Sequence, residues 1–133
     1  MASLVVGAKL FKGKPLSEKL KKSVEKAAGH IWDRGILKKG FGICHGITGN
    51  AACLLNYYKL TNDKQVLYQV YSMMNLKKDE EVVKQLKDYK DPSRMSKGSA
   101  DFPYSLMEGL AGDILMQIES LVPEIMRFPG YEV

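Results

Sequence analysis

The pattern of apolar and polar residues along this chain predicts helices and no strands. From Pro15 onward, apolar residues recur at steps of three and four with charged residues between them, and Gly35 marks the expected end of this helix. A second helix is predicted over residues 46–60, where no charged side chain occurs before Lys59. Because a helix that is apolar on nearly all sides has no face for water, we expect this one to be buried.

Three further segments follow, and together they predict an all-α fold class. Residues 61–63, Thr-Asn-Asp, can cap a third helix, residues 77–90 predict a polar surface helix, and residues 91–103, with two prolines and three serines, predict the longest loop. A last helix is expected from about Ser105 through Leu121, where Pro123 ends or kinks it. The predicted core face of the third helix is Val66, Leu67, Val70, Tyr71 and Met74.

One short pattern occurs twice, 63 residues apart. A polar residue, a Gly-x-x-Gly motif and an apolar helix follow one another from His45 and again from Glu108. Amphipathic and buried helices repeated at such a period are typical of helical repeat proteins, although glycines near a helix start also serve close packing. Within a single domain spanning residues 1–133, we expect one repeat at 16–60, a second at 63–121 and a tail at 122–133.

Charge is unevenly distributed. The net charge is +5, but residues 1–39 hold ten basic and three acidic side chains, while residues 40–133 are net acidic. A basic front can meet nucleic acid or an anionic membrane surface. Its lysines alternate with glutamates, without aromatic residues between them, so a solvated helix face is favoured and no specific nucleic-acid binding is expected. No run approaches the ~18 apolar residues of a membrane span, and we expect a cytoplasmic protein, with peripheral membrane contact left open.

The adjacent pair Cys44-His45 is the candidate for chemistry. A thiolate and an imidazole are common zinc ligands, and a turn bracketed by Gly42 and Gly46 lets neighbouring residues share one ion. Catalytic zinc usually has three protein ligands. Cys53 lies roughly 10 Å up the following helix at about 1.5 Å per residue, and His30 precedes a helix end and a turn, so neither completes the site.

Three motifs together resemble lanthionine synthetase C-like (LanC-like) proteins, especially the eukaryotic ones. Residues 31–50 read IWDRGILKKGFGICHGITGN and are similar to the family's zinc-binding stretch. Residues 101–112, DFPYSLMEGLAG, resemble the last inner-helix motif, and residues 127–132, RFPGYE, resemble the C-terminal ending. The motifs occur in the family's order, and the resemblance covers nearly the whole chain, from about residue 8 onward.

The resemblance implies a fold and a site. LanC-like proteins are toroids of helical hairpins, and this chain resembles the last two hairpins. Cys44 and His45 match two zinc ligands, while the family's third ligand, an upstream cysteine, has no counterpart here. Lys39 matches a lysine that contacts the thiol substrate in the eukaryotic branch, and Glu108 matches a position at the start of an inner helix that lines the cavity.

The implied activity is zinc-dependent addition of a thiol to a dehydroamino acid. The thiol is glutathione in eukaryotic relatives and a peptide cysteine in bacterial ones, and the acceptor is a dehydroalanine or dehydrobutyrine in a peptide. The missing third ligand leaves an alternative open, a non-catalytic repeat module whose Cys44-His45 pair is vestigial. Two hairpins also leave apolar helix faces uncovered, so we expect self-association or an upstream partner.

Overall fold

Helices are the only regular elements in the described part of the computed structural model, which comprises residues 1–37, 39–87, 102 and 104–125. The all-α class predicted from the sequence is confirmed. In chain order the helices are α1 (Ala2–Leu10), α2 (Pro15–Arg34), α3 (Ile47–Thr61), α4 (Lys64–Asn75), a 3-10 turn (Leu76–Lys78), α5 (Glu80–Lys87) and α6 (Leu110–Ser120).

Helix α3 forms the centre of the fold, as its apolar sequence predicts. It packs against α1, α2, α4 and α6. Eight of its fifteen residues are buried, from Ile47 at its start to Asn56. Burying apolar surface stabilises a fold by about 25 cal/mol per Å². The buried side chains of α3 are therefore the main contributor to the stability of the core. The core residues are Ala28, Ile43, Ile47, Ala51, Ala52, Leu54, Leu55, Val66, Val70, Met73, Met74 and Met116.

Helix α1 was not assigned from the sequence. It is only nine residues long, and an isolated helix of that length is marginal in water. Tertiary contacts hold it in place, because Val5 and Ala8 are buried and the Ser17 hydroxyl donates a 2.8 Å hydrogen bond to the Ala8 carbonyl. Helix α1 therefore forms because it packs against α2, and its own sequence alone does not account for it.

Two details of the segment after α3 differ from the predictions. Tyr71 was expected in the core, but 36% of its surface is exposed, and its hydroxyl donates to the Ser120 carbonyl at 2.8 Å. Met73 is buried in the core instead. The predicted surface helix over residues 77–90 is broken at Asp79. The Asp79 carboxylate accepts hydrogen bonds from the backbone of Glu81 and Val82, so it caps a new helix. Residues 88–90, and the predicted loop apart from Phe102, lie outside the described residues.

The last helix begins at Leu110, five residues later than predicted, and residues 105–109 form a turn. This turn repeats the one before α3. Gly109 N–H donates to the Ser105 carbonyl as Gly46 N–H donates to Gly42, both at 3.1 Å. A β-carbon on Gly112 would collide with the Leu106 carbonyl. In the same way, a β-carbon on Gly49 would collide with the Ile43 carbonyl. The 63-residue pattern therefore marks two equivalent turns at helix starts, which we call corner A (residues 42–46) and corner B (residues 105–109).

None of the described helices combines the length and the apolar character that crossing a bilayer requires.

Candidate functional site

Corner A carries Cys44 and His45 in a turn built from backbone hydrogen bonds. The Ile47 N–H donates to the Gly40 carbonyl at 3.0 Å, and Gly49 N–H donates to the Gly42 carbonyl at 3.2 Å. These carbonyls thus accept hydrogen bonds from N–H groups that would otherwise have no partner at the start of a helix. The path of corner A is fixed by main-chain atoms, so its side chains are available for other contacts.

Both candidate ligands point away from the core. Cys44 is a free, exposed thiol and His45 is exposed, while Ile43 on one side and Gly46 on the other are buried. The buried neighbours anchor the turn on both sides. The thiol and the imidazole are therefore presented to solvent from a fixed backbone at the N-terminal end of α3.

Corner B lies directly against corner A. The Cys44 N–H donates to the Met107 carbonyl at 2.8 Å. A β-carbon on Gly42 would stand 2.7 Å from the carbonyl oxygen of Glu108 and 3.1 Å from its Cα, so only glycine allows this approach. The structure thus brings Glu108, a predicted cavity residue, into the same part of the surface as Cys44 and His45.

One carboxylate oxygen of Glu108 lacks a hydrogen-bond partner among the described residues. Its backbone N–H is satisfied by the Ser105 hydroxyl at 3.2 Å, but its carboxylate oxygen Oε2 is buried and has no hydrogen-bond partner among the described residues. Lys39, the predicted substrate-binding residue, is exposed at the entry to corner A, five residues before Cys44. These four side chains belong to two touching turns and the segment that leads into the first.

Two other candidates from the sequence lie elsewhere. His30 is exposed on α2, and Cys53 is partly buried in α3. Burial raises the pKa of the Cys53 thiol above its ordinary value, with the nearby N-terminal ammonium acting more weakly in the opposite direction. Because a shielded thiol is a poor metal ligand, we still expect Cys53 to take no part in the site.

A buried polar cluster that the sequence analysis did not identify holds the two corners together. Asp113 of α6 accepts a 3.0 Å hydrogen bond from the Thr48 hydroxyl of α3 and a 2.6 Å ion-pair contact from Lys77 Nζ. Gln117 adds a further donor at 3.1 Å. The sequence signal was a lone aspartate within an apolar helix, because such a residue needs partners when it is buried.

The donor set fits zinc only in part. A thiolate and an imidazole suit the ion, and the Cys44-His45 turn can present both to it. Within residues 1–37, 39–87, 102 and 104–125, however, no group of three or more His, Cys, Asp or Glu side chains is placed to hold a metal. A zinc ion at corner A therefore needs a third donor from outside the described residues.

Comparison with known proteins places the chain in a family. Residues 3–133 match the family described as lanthionine synthetase C-like protein. The chain is 38% identical over 103 residues to glutathione S-transferase LANCL1 of Danio rerio, covering 77% of this chain and 22% of that protein. It is 29% identical over 124 residues to LanC-like protein GCL1 of Arabidopsis thaliana, covering 90% of this chain and 25% of that protein. The chain thus spans about a quarter of the length of these relatives, and it belongs to the lanthionine synthetase C-like family.

Proposed function

We propose that this chain supplies part of a zinc-dependent site that adds a thiol to a dehydroamino acid. The observation that carries the proposal is the presentation of Cys44 and His45, side by side and exposed, on a turn whose backbone is fixed by its own hydrogen bonds and by corner B. Cys44 and His45 are two of the protein ligands, and Lys39 binds a carboxylate of the thiol substrate as a point charge.

Bound zinc with an open coordination position would lower the pKa of a substrate thiol, so that a thiolate exists at neutral pH. The thiolate sulfur forms a bond to the β-carbon of dehydroalanine or dehydrobutyrine, the π electron pair moves toward the carbonyl, and the α-carbon then takes a proton. This chain's contribution is to hold the thiol-binding residues at the N-terminal end of α3, with the exposed Lys39 five residues before Cys44. The proton donor is not assigned to any described residue.

Glutathione is the thiol donor we propose first. One relative carries the name glutathione S-transferase LANCL1, which ties that protein to glutathione. A peptide cysteine is the other donor that the same chemistry accepts. The acceptor in either case is a peptide that contains a dehydroamino acid.

The first test is the zinc content of reduced, chelator-washed protein, measured by atomic emission after dialysis against zinc. We expect about one zinc per chain or per dimer, lost in Cys44→Ser and retained in Cys53→Ser, because only the first thiol is exposed at a turn. Glutathione addition to a dehydroalanine peptide, followed by mass spectrometry, is the second test. Equal zinc loss in both variants, or zinc that neither substitution affects, would contradict the assignment of Cys44.

A second candidate function is a non-catalytic repeat module. It is favoured by the absence of a third metal donor among the described residues and by the exposed apolar face of α6. The zinc measurement separates the two functions. A chain that folds with native helicity yet binds no zinc in any variant is a binding module in which Cys44 and His45 have no metal role.

A further inference from the structure

The junction between α1 and α2 is a surface that the proposed function does not use. Residues 9–16 read KLFKGKPL, and we call this segment the basic tip. Its backbone is held in place, because the Lys14 N–H donates to the Phe11 carbonyl at 2.9 Å and the Ser17 hydroxyl bonds the Ala8 carbonyl at 2.8 Å. The tip is therefore the fixed end of a helical hairpin.

Apolar side chains are exposed on the basic tip. The exposed fraction is 76% for Leu10, 45% for Leu16 and 38% for Phe11. Leu10 is the last residue of α1 and Leu16 the second of α2, so both lie at the same end of the hairpin. Apolar surface gathered in one place gains free energy when a partner removes it from water.

The same tip carries positive charge that no carboxylate neutralises. Residues 1–17 contain no acidic side chain, and within the described residues no ion pair is made by the three exposed lysines of the tip, Lys9, Lys12 and Lys14. The first acidic residue, Glu18, is paired with Lys21 at 2.8 Å. The tip thus differs from the rest of α2, where lysines alternate with glutamates.

This combination fits the surface of an anionic bilayer better than other polyanions. A bilayer accepts a protruding turn without a shaped recess, with apolar side chains at the acyl boundary and lysines at the headgroup phosphates. Nucleic acid would match the lysines but would leave Leu10 and Leu16 without a partner, because aliphatic side chains do not stack on bases as aromatic ones do. The ring of Phe11 is already in contact with a cation, since Lys14 Nζ lies 5.8 Å from its centroid.

We propose that the basic tip docks on membranes that contain anionic lipid, with its apolar side chains entering the interface and its lysines contacting the headgroups. Each lysine near such a surface strengthens association about fivefold, so three lysines and a few apolar side chains make a reversible contact. The docking does not depend on zinc or on a thiol, and it therefore goes beyond the proposed function.

The first experiment tests the charge by sedimenting the full chain with vesicles. One vesicle preparation is phosphatidylcholine alone, and the other contains about one-third phosphatidylserine. We expect binding to the second preparation only, weakened about tenfold or more by Lys12→Glu with Lys14→Glu. Lys78→Glu with Lys84→Glu, at exposed positions outside the tip, lowers the net charge equally and should leave binding unchanged.

The second experiment tests the apolar contact with two leucines of matched exposure. Leu10 is 76% exposed on the tip, and Leu121 is 77% exposed just after α6. Leu10→Ser should weaken binding to the anionic vesicles about tenfold, because the leucine side chain no longer leaves water when the tip docks. Leu121→Ser should bind like the unaltered chain.

The remaining outcomes overturn the proposal. They are no binding to anionic vesicles, equal binding to both vesicle preparations, and equal losses in a tip variant and its matched control. Binding that Leu10→Ser leaves intact and that duplex DNA competes away would make the tip a general polyanion contact and not a membrane one. Each of these results leaves the proposed zinc chemistry to its own test, because neither vesicle experiment involves metal.

Discussion

The two cysteines, Cys44 and Cys53, have the same side chain but differ in their exposure to solvent. Cys44 stands on a turn with its thiol in solvent, whereas Cys53 lies within α3, where burial raises its pKa. Sequence reasoning assigned the metal role to Cys44 from the glycines around it and excluded Cys53 from its distance along a helix. Both assignments stay predictions. The same reasoning could not find the partners of Asp113, because Thr48 and Lys77 lie 65 and 36 residues from it in the chain.

The raised pKa of Cys53 predicts a loss of stability at alkaline pH. A folded-state pKa above the ordinary value of 9.0 means that folding favours the neutral thiol. The linked stability is fully present below the unfolded pKa and is lost as pH rises through the folded one. Urea unfolding between about pH 7 and about pH 11 should show a steeper decline for the unaltered chain than for Cys53→Ala. Below neutral pH the two chains should change in parallel, because the Cys53 thiol is then neutral in both the folded and the unfolded state.

Asn56 is the residue whose substitution should stabilise the fold. It is fully buried in α3, and neither its amide nitrogen nor its oxygen has a hydrogen-bond partner among the described residues. Leucine has the same branched skeleton without polar atoms, so Asn56→Leu should raise the free energy of unfolding by about 1–2 kcal/mol. Urea denaturation measures this change.

Asn50 provides the matched control for Asn56. Its amide donates a 2.8 Å hydrogen bond to the Gly35 carbonyl, which fixes the end of α2 against α3. Asn50→Leu should therefore lower the free energy of unfolding by about 1 kcal/mol. A destabilised Asn56→Leu variant would mean that a partner such as ordered water satisfies the Asn56 amide.

At the scale of elements, periodicity predicted α2 and α3 almost to the residue but misplaced the start of α6. Leu106 and Leu110 lie four residues apart, so pattern alone extended the helix back through residues 105–109. The structure makes them a turn because they repeat corner A and dock on it. The internal repetition was visible in the sequence, yet the conclusion that two equivalent turns touch each other depends on three-dimensional packing.

The contact between the corners predicts a clear effect of Gly42→Ala. The new methyl group would meet the Glu108 backbone at 2.7–3.1 Å, and neither turn can shift freely. Overpacking of this kind typically costs about 1–3 kcal/mol, so we expect a lower free energy of unfolding and a reduced zinc content. Both quantities can be measured on the same preparation.

Gly29→Ala is the matched control for the corner contact. Gly29 lies in the exposed part of α2, and its added β-carbon would meet nothing within 4 Å. Replacing a mid-helix glycine with alanine should stabilise by about 0.5–1 kcal/mol and leave zinc content unchanged. If Gly42→Ala behaved like Gly29→Ala, the close approach of corners A and B would not exist in solution.

At the scale of the whole molecule, α6 has one covered side and one open side. It packs on α3, but Leu110, Ile114 and Ile118 recur at steps of four with 45–60% of their surfaces exposed. A groove of about 310 Å³ between α4 and α6 adjoins this face. Contiguous apolar surface of this kind marks an interaction site, and in a repeat protein it is the face that the next repeat covers.

We therefore expect the isolated chain to self-associate through α6. Sedimentation velocity should show a species larger than the monomer whose fraction rises with protein concentration. Ile114→Glu with Ile118→Glu should restore the monomer, because two charges cannot be buried cheaply in an apolar contact. Leu16→Glu, at an exposed position on α2, is the control and should leave association unchanged. A monodisperse monomer at all concentrations would contradict this expectation.

The equivalence of corners A and B has a consequence for protein engineering. Met107 and Glu108 occupy in corner B the positions that Cys44 and His45 occupy in corner A. The two turns follow the same backbone path and are in direct contact. A cysteine or histidine introduced at either position would thus be carried by a turn with the same backbone path as corner A and in contact with it. If the proposed zinc site is real, corner B is therefore a place to install the third donor that the described residues do not supply, and a small metalloprotein could be built from this chain alone.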